Sequence, residues 1–246
     1  MHGSFLAVPR RGVRYLAYTA ALLTAVAVGG LCIHTVLVHR TPGAAAAPAS
    51  RPGPGGATGV GRDGTAAAGP QQPLQLVAGT KYADGISTGY PHTLTGAVSA
   101  GVEYASVIGS TLAIGTESSL MQLIADPSYR DAAAQGAQGA QADRQQMGLP
   151  VSGPPPAGAS ISFSPSEYQI RDHGASQVTV LLLGDLTETT ASGGTQVRLA
   201  VVPVPLHWSV SDWKVLAPDY SADYSGLSAT PGTQAAAGLG WQPIAF

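Results

Sequence analysis

The chain is poor in cysteine and in charge. One cysteine, Cys32, serves all 246 residues, which excludes an internal disulfide framework and a cysteine-based zinc site. Charged residues make up 11% of the chain, where soluble domains average about 25%. The formal net charge is −2, so neither a basic nucleic-acid binder nor an acidic disordered tail describes the whole. No H-E-x-x-H pair and no G-x-x-x-x-G-K-[ST] loop occurs, so neither a zinc-protease motif nor a phosphate-cradling loop is written here. Glycine and proline are abundant instead, at 32 and 19 residues. The mean hydropathy of +0.14 is too apolar for a fully disordered chain. The length leaves room for one sizeable domain, or for a domain with flanking segments.

The averages conceal three segments. Tyr15 to Val38 is a run of 24 residues without Asp, Glu, Lys or Arg. As a helix it would be roughly 36 Å long, enough to cross a hydrocarbon core of about 30 Å with some tilt. Arg10, Arg11 and Arg14 precede it, and Arg40 and Arg51 are the nearest charges after it. That bias predicts a cytoplasmic N-terminus over 1–14, a transmembrane helix over 15–38 and a C-terminal domain outside. The rival reading is a cleaved signal peptide, since Ala44–Ala47, Pro48 and Ala49 offer small residues. Its apolar core would be longer than the usual 7–15 residues. Cys32 and His34 fall inside the span. Ala17, Ala21, Ala25 and Gly29 recur every four residues, a spacing that lets two helices approach closely.

Residues 39–75 read as a disordered linker. Between 41 and 75, Pro, Gly and Ala fill 23 of 35 positions without apolar periodicity. A flexible coil of that length reaches about 33 Å. Gly59, Gly61 and Gly64 match G-x-G-x-x-G, but a dinucleotide site needs a strand before and a helix after. Neither is written here, and no cofactor is expected.

From about Leu76 the pattern is that of a folded domain. Pro91–Leu112 reads as a helix, with Thr93 or Thr95 as its cap. Ser118–Ala125 is a second helix. Asp126–Pro127 then signals a third, from Ser128 to about Gln146, with a small-sided face of Tyr129, Ala132, Ala133, Gly136 and Ala140. After Gly148–Gly158 the period becomes two. Strands are expected over Ser160–Arg171, interrupted at Pro165, and over Gln177–Thr189, Thr195–Val204 and Leu206–Leu216, with a bulge or edge at Pro203 and Pro205. Helices followed by antiparallel strands give an α+β fold, three helices on a curved sheet of about four strands, over 76–217. Pro218–Phe246 remains as a C-terminal tail, free to pack back or to join a partner. Charge divides along the same boundaries. Residues 1–75 balance at +5 and residues 76–246 at −7, so the outer domain is not expected to contact nucleic acid.

Catalytic patterns are thin. Gly85-Ile86-Ser87-Thr88-Gly89 matches G-x-S-x-G, but the residues before it read as a turn, where a nucleophile elbow needs a buried strand. Ser211-Asp212-Trp213-Lys214 matches S-x-x-K, but strand alternation would send Ser211 and Lys214 to opposite faces. The six histidines are scattered. The residues singled out for interaction are Tyr90 and His92, at the start of the first helix, and Trp208 and Trp213. The two tryptophans, five apart on one expected strand, should face opposite sides, either both packed in the core or at an edge, or one in the core and the other an exposed anchor on the far sheet face.

Trp208-Ser-Val-Ser-Asp-Trp213-Lys-Val215 on a late strand, after three helices, resembles the nuclear-transport-factor-like cone fold. Gly89-Tyr90-Pro91-His92-Thr93, then Gly96-Ala97-Val98 and a helix with Tyr104-Ala105, resembles actinobacterial membrane proteins encoded near conjugation or secretion ATPases. The ratio of 10 Arg to 2 Lys and the absence of Asn fit a GC-rich genome. One anchor, a linker and an outer cone domain is also similar to the layout of the inner-membrane scaffold subunit of type IV secretion systems. The resemblance covers roughly residues 76–217 and implies a non-enzymatic scaffold with no catalytic, cofactor or metal residues. Its expected partners are the bilayer through residues 15–38, further copies of itself and other envelope subunits. The alternatives are a ligand- or wall-binding module using the concave face of the cone and, last, a serine hydrolase using Ser87.

Overall fold

The computed structural model describes residues 72–246 and, as backbone alone, His34–Val36. The expected span over 15–38 otherwise lies outside the described residues, as do the decoy glycines. Among the described residues no helix is long and apolar enough to cross a membrane.

The domain is α+β. A curled, mostly antiparallel sheet runs in the order β1 (His34–Val36), β7 (Thr195–Ser209), β6 (Gln177–Thr189), β5 (Ser160–Arg171), β9 (Gln242–Ala245), β2 (Leu74–Gln75). A short strand, β8 (Asp212–Val215), pairs with the end of β7, and β3 (Lys81–Ala83) with β4 (Ile86–Thr88) forms a separate hairpin. Alternation along β6 splits its apolar side chains. Val178, Val180, Leu182 and Leu186 join the main core with the helices, while Leu181 and Leu183 join a second cluster around Trp241.

Helix α1 (Leu94–Ile108) starts after Thr93, whose hydroxyl accepts from the Gly96 amide at 3.0 Å, and ends at Gly109. It is shorter at both ends than the apolar pattern suggests. Its glycine at 101 brings the helix onto the sheet, since a Cβ there would lie 3.4 Å from Val180. Helix α2 (Ile114–Ile124) begins one turn before the expected Ser118. Helix α3 (Ala132–Gln146) begins one turn later than Ser128. Asp126 does bind the Ser128 amide and hydroxyl, at 2.9 and 2.6 Å, but this closes a turn and not a helix. The small face of α3 packs on α2, where a Cβ on Gly136 would meet the Glu117 carbonyl at 2.9 Å.

The interruption expected at Pro165 takes the form of a register shift between Pro165 and Glu167, a bulge within one continuous strand. Gly184 faces it across the pair, and a Cβ there would lie 2.2 Å from the Ser164 carbonyl oxygen and 2.6 Å from Pro165 Cα. Both contacts are backbone, so relief requires moving a central strand. Gly184→Ala is therefore expected to cost about 2–3 kcal/mol of stability, the range of core overpacking. Urea denaturation measures this, and a midpoint equal to wild type would refute it.

Of the bulge or edge expected at Pro203 and Pro205, the bulge is absent, and β7 runs through both in unbroken register with β6. The Pro205 carbonyl accepts from the Leu216 amide, so at these alternate positions the missing N–H faces away from β6. No donor to β6 is lost, as at an edge position. The segment after Val215 packs back onto the sheet. Its helix α4 (Gln234–Gly238) and Trp241 cover the face opposite the three main helices, and β9 then extends the sheet beside β5.

Candidate functional site

The four residues singled out from the sequence converge at one end of the sheet. Val210 and Ser211, at φ 52° and 67°, form a two-residue turn between β7 and β8. Trp208 and Trp213 are thereby cross-strand partners on one face, not neighbours on opposite faces of one strand. Their rings lie 5.5 Å apart at 68°. His92 stacks flat on Trp208, at 4.3 Å and 6°, and meets Trp213 edge-on at 5.5 Å. Trp213 is buried, Trp208 half-buried and His92 exposed. The outer surface of this stack is thus His92 together with the exposed part of Trp208.

Buried polar contacts hold the cluster. The Trp213 indole N–H donates to the Pro91 carbonyl at 2.9 Å. The buried Asp212 carboxylate accepts from the amides of Tyr90 and Trp213, at 3.0 and 2.9 Å, and lies 3.4 Å from the Lys214 ammonium. Lys214 also donates to the Leu123 carbonyl. The Tyr104 hydroxyl donates to the Trp213 carbonyl at 3.1 Å, and the Tyr104 and Tyr90 rings meet edge-on at 6.1 Å. Burial pushes both tyrosine hydroxyls above their usual pKa, with Glu103 and Asp212 adding repulsion, so both stay neutral. His92 Nε2 lies 3.2 Å from the Ala175 carbonyl. A carbonyl only accepts, so Nε2 carries the proton. Gly96 permits the loop, since a Cβ there would sit 2.1 Å from the Pro91 carbonyl oxygen.

On a neighbouring part of the hairpin, His207 Nδ1 lies 2.8 Å from the Asp126 carboxylate. Burial pushes that carboxyl up, but hydrogen bonds from Ser128 and His207 outweigh it and hold the group below the usual carboxylate range. Ser211 sits in the turn while Lys214 is spent on Leu123 and Asp212, so the S-x-x-K match does not form a helical pair. Ser87 lies on β4, where sequence reading placed a loop, and its amide donates to Glu103. The overlooked signal was Asp84-Gly85, a hairpin dipeptide with both residues at positive φ. The sequence also left Asp212 without a role, because its contacts come from a loop 122 residues away.

The hairpin tip is costly. Val210 is 85% exposed and β-branched in the left-handed region, where Asn or Gly is favoured. Replacing Val210-Ser211 with Asn-Gly is expected to stabilise the domain by about 1 kcal/mol. Denaturant midpoints check this, and a loss of stability would show that Val210 packs on something.

A two-layer α+β domain with an aromatic patch fixed on a rigid hairpin defines the class of protein. A family model described as a domain of unknown function, DUF8175, matches residues 40–241, and the chain belongs to that family. No curated protein and no solved structure matches the chain.

Proposed function

We propose that this protein is a non-enzymatic, membrane-anchored assembly subunit of a secretion or conjugative-transfer machine, its cone-like outer domain acting through protein contacts. The observation that carries the reading is the exposed His92–Trp208 stack beside the apolar, strained Val210 tip. Aromatic side chains held rigid by buried partners lose little entropy on binding and are favoured contact anchors. The apolar run over 15–38 and the linker over 39–75 support the anchored layout. A fully inserted span and the pairing of His34–Val36 with Leu199–Val201 are mutually exclusive. In the anchored chain that edge of β7 is open.

Ligand or cell-wall binding on the concave face of the sheet is the weaker reading, because α1 fills that face down to contact between Gly101 and Val180. A cleft of about 460 Å³ does lie elsewhere, lined by Arg171, Asp172, Asp223 and Tyr224. Photo-crosslinking from positions 92 and 210 of the full chain in intact cells tests the proposal, with exposed position 145 as control. Membrane-fraction adducts to envelope subunits or to a second copy are expected. A chain that stays uncrosslinked at 92 and 210, or that leaves the membrane in high salt, would overturn it.

A further inference from the structure

The geometry points to a head-to-tail contact between copies of this chain, in which the Pro154–Pro156 loop of one copy docks on the His92–Trp208 surface of the next. The inference rests on the assembly reading above and names the partner of that same surface.

The loop between α3 and β5 is presented outward from a buried support. Arg144 is 1% exposed. Its Nε donates to the Leu112 carbonyl at 2.6 Å, and its Nη1 to the carbonyls of Pro150 and Gly153 at 3.2 and 2.9 Å. The Ala159 amide closes the far side on the Pro156 carbonyl at 3.1 Å. Between these fixed points, Val151 to Pro155 are exposed. Proline rings fix φ near −65°, and a proline pushes the residue before it to extended ψ. Pro154 and Pro155, each followed by proline, are therefore held in the polyproline conformation before any partner arrives. Such segments are read by aromatic surfaces that offer ring faces and an N–H donor.

The His92–Trp208 stack is a surface of that chemistry. Trp208 is half-buried, and among the described residues its indole N–H donates to no protein group, whereas that of Trp213 is spent on Pro91.

The loop cannot reach this surface within one copy. It leads into Ser160, which pairs with Thr189 at the far end of β6, and Gly158 lies beside Ala191. The tryptophans sit at the other end, where the Trp208 amide donates to the Ser176 carbonyl. The 13 residues of β6 separate the two ends by about 40 Å. A contact between two different surfaces of identical chains is heterologous, and it builds rings or filaments.

Charge selects the same two surfaces. Two domains at −7 repel each other. Residues 149–159 carry no charge, and neither do residues 90–94. Copies tethered to one membrane by the linker would also meet at raised effective concentration.

The test uses the full chain in membranes with Cys32→Ser as background. One tagged copy carries Val151→Cys, and a second, differently tagged copy carries Val210→Cys. A short bismaleimide is expected to join 151 to 210, but not 151 to 151 or 210 to 210. Alanine at Pro154, Pro155 and Pro156 together, on an exposed loop, is expected to lower the 151–210 product at least tenfold, and Trp208→Ala should do the same. Same-site products alone, no product, or a product indifferent to the proline changes would overturn the inference. If positions 92 and 210 still crosslink to another envelope protein, the assembly reading survives the loss of this contact. If they crosslink to nothing, both fail.

Discussion

Glu117→Gln is expected to stabilise the domain by about 3 kcal/mol at pH 8 and to destabilise it by about 1 kcal/mol at pH 4.5, where little of the wild-type penalty is left to relieve. Glu117 is 3% exposed on α2, and its Oε2 has no hydrogen-bond partner. Burial first, and repulsion from Asp143 on α3 second, push its carboxyl up from 4.5 to about 9. Asp143 is itself raised to about 6, by burial and by Glu188, with Arg198 opposing. A raised carboxyl favours the folded state fully only below its unfolded pKa. Above about 4.5 the unfolded chain releases the Glu117 proton and the folded chain does not, so stability falls as pH rises, until about 9. Each unit of separation is worth about 1.4 kcal/mol, which at pH 8 gives about 5 kcal/mol. An amide buried without a full set of partners returns about 1–2 kcal/mol of that. Urea denaturation at pH 4.5, 6 and 8 decides the matter. A difference between the two proteins that does not change with pH would show Glu117 to be ionised in the fold.

The neighbourhood of Glu117 also marks a boundary of what the sequence conveys. Its helix was legible from Leu120, Leu123 and Ile124, but nothing local distinguishes a buried Glu from a solvated one. Gly136 is what draws α3 onto it. In general, elements written as periodic patterns were readable. Strand β6 has the expected bounds, and its odd and even residues divide between the two clusters. Features set by turn geometry were not. Val210-Ser211 lacks the Asn or Gly that announces a two-residue turn, so one strand was expected where a hairpin exists. That single omission placed Trp208 and Trp213 on opposite faces, although the pair itself was singled out. Tyr90 and His92 were likewise legible as residues with a role. Their meeting with the tryptophans was not, because it depends on Asp212 and on the Trp213 indole, and both contacts span 122 positions. The C-terminal segment was unreadable for a related reason. It makes little structure of its own, and its strand exists only as a partner of β5 and β2.

That dependence gives the second large effect. Trp241→Ala is expected to remove about 3–5 kcal/mol, the usual cost of emptying a buried Trp site, and to free the C-terminal segment before the rest unfolds. Trp241 is 1% exposed. It packs with Leu181, Leu183, Val201 and Ala236, and its indole N–H donates to the Leu227 carbonyl at 2.8 Å. Polar contacts from β5 add to it, from Glu167 and Gln169 on the outer face and from Tyr168 on the face of the main core. Glu167 accepts from the Gly232 amide, Gln169 donates to the Leu239 carbonyl, and the Tyr168 hydroxyl donates to Gln242. Such contacts position a segment but add only about 1 kcal/mol each, so the apolar plug carries the attachment. Among the described residues, strand β9 pairs with β5 over only Glu167 and Tyr168, and β2 pairs only with β9. Loss of the plug should therefore loosen Leu74–Gln75 as well, where the linker joins the domain. Limited proteolysis is expected to cut first between 217 and 240, leaving a core that keeps Trp208 and Trp213. Trp241→Phe, which refills most of the site but lacks the indole donor, should recover more than half of the lost stability. If Trp241→Ala melts with wild type, or its cleavage sites fall first in α1 or β6, the segment is not held by this side chain.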